Sequence, residues 1–444
     1  MAMKFLSVSN VFVGRSSLKK LFSSVLSDMC LGKECKKMEN MRQLTTKFYD
    51  NEEKPRFDRK NALILTKFSR YEFEKRRHPN LSEDELVQNL EERGSDYKTL
   101  LHHHEIHKRN QEIVADTLQK NGFQTKIVNR FEYNDDNIKW ADVIFTTGGD
   151  GTFLMAASKI HTREKPVIGI NSDPSRDSSL LSSLGYLCLP KKYTDDFPQA
   201  IEKLKSGNFK WKWRQRIRVT LISEHAKDPP IELHDQQLQY PEYRFLDCWQ
   251  EQPPRKSEIS DHQKVKVEHV LPVRALNEVF IGETLSSRVS YYELSVDNSL
   301  PSKQKSSGMT ICTGTGSTSW SFNINKVTPR CVHQLLQIVN EETGSSLPVE
   351  DKNLVERIAN KFNNSLIFDP SKLSMAYSIR DPVVFGVNFN SKPRGFAKKI
   401  EVKSRMFDAC IVIDGGLSYI FNDGAVATLE IFEEDALRTV TLLD

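Results

Sequence analysis

The stretch Thr146-Thr147-Gly148-Gly149-Asp150-Gly151-Thr152 constrains this chain most, because it follows an apolar run, Ala141 to Phe145, and opens an apolar-rich segment, Phe153 to Lys159. Such a sequence forms a strand, a tight glycine turn and a helix start. Three glycines let backbone amides come close to a phosphate, and a helix N-terminus adds partial positive charge. Asp150 then puts a carboxylate where an attacking hydroxyl would lie. Phosphoryl transfer needs those parts, whereas an isolated glycine run is also compatible with a βα turn that binds nothing.

The rest of the chain supplies context. A second cluster, Thr313-Gly314-Thr315-Gly316-Ser317-Thr318-Ser319-Trp320, lies far downstream. Between the two sits Leu276-Asn277-Glu278-Val279-Phe280-Ile281-Gly282, an apolar strand-like run that carries an amide and a carboxylate. Buried polar groups are costly unless something pairs with them, which makes a ligand a good candidate partner.

Asn61 to Phe68 reads as an opening strand, and Ser82 with Glu85 three positions on reads as a capped helix start. A helix is expected over His104 to Asn121, closed by Gly122, and a strand over Gln124 to Asn129. With the glycine loop, its helix and the strand Val167-Ile168-Gly169-Ile170, this alternation implies a parallel, doubly wound sheet with the site at its strand ends. After about Gly207 the pattern turns to alternating strands such as Arg216 to Ile222 and Tyr291 to Val296.

The expected fold is therefore α/β plus β. A leader covers 1–47, and a doubly wound, Rossmann-like domain covers 58–205. A β-rich, sandwich-like domain covers 206–425, with a polar loop at 223–269 and a helical insertion at 329–369. Residues 426–444 are expected to return to the N-terminal domain.

With Gly148-Gly149-Asp150-Gly151-Thr152, Asn277-Glu278, Thr315-Gly316-Ser317-Thr318 and Asp414-Gly415-Gly416 in this order, the chain resembles the NAD kinase family, and within it the mitochondrial type, from about Lys60 onward. The resemblance implies phosphorylation of NAD by ATP at the adenosine ribose 2′-hydroxyl, giving NADP. It implies that Asp150 orients that hydroxyl and accepts its proton, while Gly148, Gly149, Gly151 and Thr152 meet phosphate oxygens. Asn277 would then face the adenine edge and Glu278 the ribose hydroxyls, with Thr315, Thr318, Ser319, Trp320 and Asn323 lining the dinucleotide pocket. Magnesium is expected to arrive with ATP, held by its phosphates, with no protein metal site required. A homodimer is expected from the family.

The match is not complete. Gly314 stands where the family commonly has proline, Ser319 where it has alanine and Trp320 where it has tyrosine. A serine-rich segment, Ser172 to Leu184, replaces a short glycine link. Two other functions compete: a diacylglycerol or sphingoid-base kinase, which shares the glycine-aspartate loop, and a non-catalytic NAD sensor.

Residues 1–47 hold nine Lys/Arg against three acidic residues, and the remainder holds 54 against 56, so the body is not a basic nucleic-acid binder. Residues 1–27 lack Asp and Glu, contain seven serines, and set Leu18, Leu21, Phe22 and Val25 on one helical face. That is the pattern of a mitochondrial presequence, and matrix import is expected. No run of about 18 uncharged apolar residues suggests a membrane span. Seven cysteines without a paired Cys-x-x-Cys spacing fit a reducing compartment. His103 and His107 sit one helical turn apart, but without a third ligand they read as a helix face before they read as a metal site.

Overall fold

In the computed structural model, which describes residues 55–173, 187–234, 265–383 and 392–443, the first strands are β1 (Asn61–Thr66), β2 (Gln124–Val128), β3 (Val143–Thr147) and β4 (Val167–Ile170). They form one parallel sheet in the order β2-β1-β3-β4. Strands β1, β3 and β4 are buried along nearly their whole length, as unbroken apolar runs are when helices cover both faces. Ala62 and Ile64 pack with the helices Tyr97–Lys120 and Phe197–Lys205. Leu63 and Leu65 point to the opposite face and pack with the helix Asp150–Ser158.

Local signals account for most helix starts. Ser82 accepts the Glu85 amide at 3.3 Å while Glu85 accepts the Ser82 amide at 2.8 Å, a reciprocal cap that begins the helix Glu83–Glu92. The long helix begins at Tyr97 and not at His104, because Asp96 accepts the Thr99 amide and caps it seven residues earlier than the apolar spacing suggests.

Strand β5 (Phe209–Arg214) still belongs to the first domain: Phe209 and Trp211 pack into the same core as Phe123 and Phe145. Beyond Gln215 the chain builds two antiparallel sheets. The first, in the order β11-β10-β15-β18-β6-β8, uses β6 (Ile217–Ser223), β8 (Val267–Ala275), β10 (Ser290–Val296), β11 (Ser302–Ser306), β15 (Lys399–Ser404) and β18 (Val426–Ile431). The second, in the order β14-β13-β12-β9-β16-β17-β7, uses β7 (Ile231–Glu232), β9 (Glu278–Glu283), β12 (Met309–Cys312), β13 (Met375–Ile379), β14 (Arg394–Ala397), β16 (Ala409–Ile413) and β17 (Leu417–Ile420). Val219, Leu221 and Leu429 of one sheet meet Val279, Ile311 and Ile411 of the other in a shared core.

Between β12 and β13 the helices Pro329–Thr343 and Lys352–Ser365 pack on each other through Val332, Val355 and Ala359. The last strand, β19 (Leu437–Leu442), pairs antiparallel with β5, and Val440 enters the first domain's core. Two expected boundaries therefore move. The crossing into the β-rich domain falls at Gln215 and not at 206, since β5 has its partner and its core on the near side. The return begins at Leu437 and not at 426, since β18 is held between β15 and β6. The leader at 1–47, most of the serine-rich segment and residues 235–264 of the polar loop lie outside the described residues.

Candidate active site

Strand β3 ends at Thr147, and the glycine turn leads directly into the helix Asp150–Ser158, with Gly149 as its N-cap and Asp150 as its first residue. The glycines do two different jobs. A Cβ on Gly148 would stand 2.3 Å from Thr152 Oγ1, so the chain can fold here only without a side chain. A Cβ on Gly149 or Gly151 would meet nothing within 4 Å, so at these positions the backbone faces open space at a helix N-terminus. The Asp150 carboxylate accepts the Leu187 amide at 3.0 Å, a contact from beyond the serine-rich segment that sequence reasoning did not supply. Thr152 is buried and donates its amide to the Gly149 carbonyl at 3.0 Å.

The second part of the site is a strand start pinned by a turn. Asp414 and Gly415 both take positive φ, 48° and 65°, in the tight turn between β16 and β17, where Gly416 donates to Ile413 O at 3.0 Å. In that position the Asp414 carboxylate accepts the amides of Leu276, Asn277 and Glu278 at 2.8, 2.8 and 3.0 Å. Asn277 Oδ1 and Glu278 Oε2 are buried and have no hydrogen-bond partner among the described residues. Burial pushes the Glu278 carboxyl up to about 8, and the nearby Asp414 charge adds to the shift. Burial likewise raises Asp414 to about 6, against the three amides that stabilise its charge.

The third part is the loop after β12. Thr313 donates its amide to Asn277 O at 2.9 Å and its hydroxyl to Leu276 O at 2.5 Å. A Cβ on Gly316 would lie 2.0 Å from Asn277 O, so this glycine is what allows the two segments to touch. Thr315 is buried and accepts Arg214 Nη1 at 3.2 Å, while Thr318 donates to the Thr315 carbonyl at 3.1 Å. Ser319 Oγ accepts Asn277 Nδ2 at 3.3 Å, and Asn323, exposed, donates to Ser319 O at 3.0 Å. The Trp320 ring is 40% exposed, with Phe280 at 5.8 Å and the Arg380 guanidinium at 5.4 Å. Gly314 has a physical explanation: a Cβ there would stand 2.2 Å from Asp369 O, so the chain returning from the helical insertion fills the space that a proline ring would need.

Arg214 and Arg216 lie at the domain junction beside the candidate site, where motif reading gives them no role. Arg216 is fully buried, donates to Ala157 O at 2.8 Å, Ile160 O at 2.6 Å and Asp435 O at 2.6 Å, and so holds the C-terminal end of the Asp150 helix. The signal in the sequence is two arginines flanking Gln215 between two alternating strands, FKWKWR and IRVTLIS. The neighbouring Trp211 and Trp213 instead pack at the domain junction, with Arg438 4.0 Å over the Trp211 ring and Arg163 4.2 Å over Trp213.

The histidines tie the long helix to the strand ends. His107 is buried between Thr66 Oγ1 at 3.1 Å and Ser172 Oγ at 2.8 Å, and burial pulls it down to about 3. His104 meets Ser69 Oγ at 2.8 Å, and His103 lies 3.1 Å from Asp173. Among the described residues no three His, Cys, Asp or Glu side chains are grouped to hold a metal.

Comparison with known proteins decides the family. The model for the ATP-NAD kinase N-terminal domain matches residues 75–173, which include the glycine loop and Asp150. Over 383 residues the chain is 46% identical to NAD kinase 2, mitochondrial, of Rattus norvegicus, spanning 86% of this chain and 87% of that one. The chain belongs to the NAD kinase family. The Homo sapiens NAD kinase 2, mitochondrial, is also 46% identical over 383 residues, or 86% of this chain and 84% of its own. The NAD kinase of Clostridium beijerinckii is 25% identical over 220 residues, 47% of this chain and 58% of its own. Within this NAD kinase family chain, Arg214 at the end of β5 bonds the Thr315 loop, and Asp414 orders the strand start that carries Asn277 and Glu278.

Proposed function

We infer that this chain transfers the terminal phosphoryl group of ATP to the 2′-hydroxyl of the adenosine ribose of NAD, yielding NADP and ADP. The observation that carries this reading is 46% identity over 86% of the chain to relatives named NAD kinase 2, mitochondrial. In the reaction, Asp150 accepts the proton of the 2′-hydroxyl as its oxygen bonds to phosphorus and the bond to the bridging β–γ oxygen breaks. General-base assistance of this kind contributes roughly 10²–10⁴ in rate. The outward-facing backbone at Gly149 and Gly151 binds phosphate oxygens, Gly148 makes the turn, and Thr152 holds it from within. Glu278 accepts ribose hydroxyls, Asn277 faces the adenine edge, and Thr315, Thr318, Ser319, Trp320 and Asn323 line the dinucleotide pocket. The unpartnered Asn277 Oδ1 and Glu278 Oε2 support these roles.

A divalent cation fits this set of donors as a passenger on ATP: Asp150 is a carboxylate at the phosphate loop, and no protein cage stands beside it among the described residues. It neutralises phosphate charge. Import into mitochondria on the leader and assembly as a homodimer complete the reading; a tagged full-length chain and sedimentation of the purified protein test each in turn.

The decisive assay is NADP formation by the purified chain with ATP, magnesium and NAD, beside Asp150→Asn and a diacylglycerol substrate. NADP from the native chain and not from the variant supports the assignment. Phosphorylated lipid would replace it with a lipid kinase, and NAD binding without turnover would replace it with a sensor.

A further inference from the structure

Strand β1 leads outward to β2 on one side, and the chain then crosses back to place β3 on its other side. The tips of β1 and β3 therefore flank the point where the winding of the sheet reverses, and at such a point the connections part and leave a crevice for a ligand. On the β4 side protein fills it: the Leu187 amide donates to Asp150 at 3.0 Å, and Cys188 Sγ lies 3.7 Å from Gly148 O. On the β2 side a cleft of about 190 Å³ stays open, with Thr66, Lys67, Phe68, Gln111, Ile127 and Asn129 in its walls. Lys67 joins this cleft to the glycine turn. Its amide donates to Thr147 O at 2.9 Å, and a side chain on Gly148 would begin 3.0 Å from Lys67 Cβ.

The walls present donors beside apolar surface. Gln111 Oε1 accepts the Thr66 hydroxyl at 2.7 Å; with its one hydrogen spent there, Thr66 Oγ1 accepts from Nε2 of His107 at 3.1 Å. His107 is fully buried, so this floor is fixed from below. Asn129 Oδ1 accepts the Phe131 amide at 2.9 Å. Both amide oxygens are thus taken, while the amino groups of Gln111 and Asn129 have no acceptor among the described residues. Ile127, 45% exposed near the end of β2, and Phe68 add apolar surface to the same cleft. Two amide donors beside such a wall suit a flat heterocycle whose ring nitrogens accept, and Lys67 puts a cation between that place and the glycine turn. The ends of β2 and β3 are two strand spacings apart, about 10 Å, a span that a nucleoside triphosphate laid across β1 covers.

We propose that the cleft between the ends of β1 and β2 receives the purine base of the phosphoryl-donor nucleotide, with its phosphates running past Lys67 to the glycine turn at Gly149 and Gly151. The proposal rests on the kinase reading given above and supplies what the glycine loop leaves open, the place of the donor's base. It puts the donor on the first domain and the acceptor dinucleotide, at Asn277 and Glu278, on the second. Two substrates that both carry adenine are then told apart by the domain that holds them.

The test is photolabelling of the purified chain with 2-azido-ATP and magnesium followed by peptide mapping, beside steady-state kinetics and thermal midpoints of Ile127→Glu and Asn129→Ala. Label is expected within residues 66–72 or 124–132, displaced by ATP and not by NAD. Ile127 is exposed, so Ile127→Glu should keep the native midpoint. A carboxylate set in the path of the nucleotide should raise the KM for ATP about 10-fold, while kcat and the KM for NAD stay within about threefold. Asn129→Ala, which loses one donor, should raise the KM for ATP about three- to tenfold. Label confined to the second domain overturns the proposal, as does Ile127→Glu with a KM for ATP within about twofold of native. Should the label fail to attach, or Asn129→Ala fail to fold, the KM of Ile127→Glu decides. Label in the cleft without NADP formation would sink the kinase reading and leave a nucleotide site, whereas NADP formation with an unchanged KM for ATP in Ile127→Glu sinks the site alone.

Discussion

Arg216 donates to the backbone oxygen of Ala157 over 2.8 Å, which puts a buried cation at the C-terminal end of the helix whose first residue is Asp150. The helix is thus gripped by a residue of the other domain, and the favourable pairing of a cation with a helix C-terminus works inside the protein where salt does not screen it.

Arg216→Met would take the buried donor from the carbonyls of Ala157, Ile160 and Asp435, of which Ala157 O keeps the Ile160 amide. A buried acceptor left without a donor costs about 1–3 kcal/mol. The expected outcome is a denaturant midpoint far below the native one; a loss under about 1 kcal/mol, the size of a surface effect, would contradict this account.

Glu278 makes stability depend on pH. Its carboxyl is raised from 4.5 to about 8, so between those values the folded chain keeps a proton that the unfolded chain has released. Stability is therefore largest below 4.5 as far as this group is concerned, and it falls as pH rises toward 8, by up to about 1.4 kcal/mol per pH unit. Glu278→Gln removes the titration. At pH 8.5 the variant is expected to melt at a higher temperature than the native chain in the absence of nucleotide, with little difference at pH 5. Equal melting temperatures at pH 8.5 would refute the assignment.

NAD binding should release a proton. A carboxyl that is half-neutral at about pH 8 when empty becomes a full acceptor when ribose hydroxyls donate to it, so its proton leaves on binding. Calorimetry of NAD binding at pH 7 in two buffers of different ionisation enthalpy should give different heats, whose slope reports close to one proton released. Glu278→Gln should abolish the slope and weaken binding by roughly 10-fold or more, the loss of a charged hydrogen bond. A native chain with buffer-independent heats would count against the Glu278 role.

The glycines separate folding from catalysis. Gly148→Ala and Gly316→Ala place a Cβ 2.3 Å from Thr152 Oγ1 and 2.0 Å from Asn277 O, so both are expected to lose stability, the second more because it meets backbone. Gly151→Ala meets nothing within 4 Å and should melt like the native chain. Its methyl group would occupy the space proposed for a phosphate, and ATP affinity should fall by roughly 10-fold or more, as for an unpaired contact. Native ATP affinity in Gly151→Ala would show that the phosphate lies elsewhere.

How far the sequence could be read depended on how local each cause was. The Ser82 cap and the glycine turn are written within a few residues, and both appear in the structure where the sequence puts them. The long helix is legible only in its later part, where its buried face lies, while its start depends on the single cap Asp96. The domain crossing at Gln215 was invisible for a different reason: β5 is assigned by a partner strand more than two hundred residues downstream. Asp414 was legible as part of a motif but not as the acceptor of three amides, which needs the β16–β17 turn brought against β9. Arg214 and Arg216 look like surface charges in a list of residues. Only the junction shows that both are buried.

The pairing of β19 with β5 has a consequence for biogenesis. Residues 437–442 close the core of the domain that carries the glycine loop, so a chain leaving a ribosome, or threading through a membrane pore N-terminus first, has no finished first domain until its final strand arrives. The two domains therefore mature together, at the end, and a chain halted part-way holds its glycine motifs with no enclosed scaffold to present them.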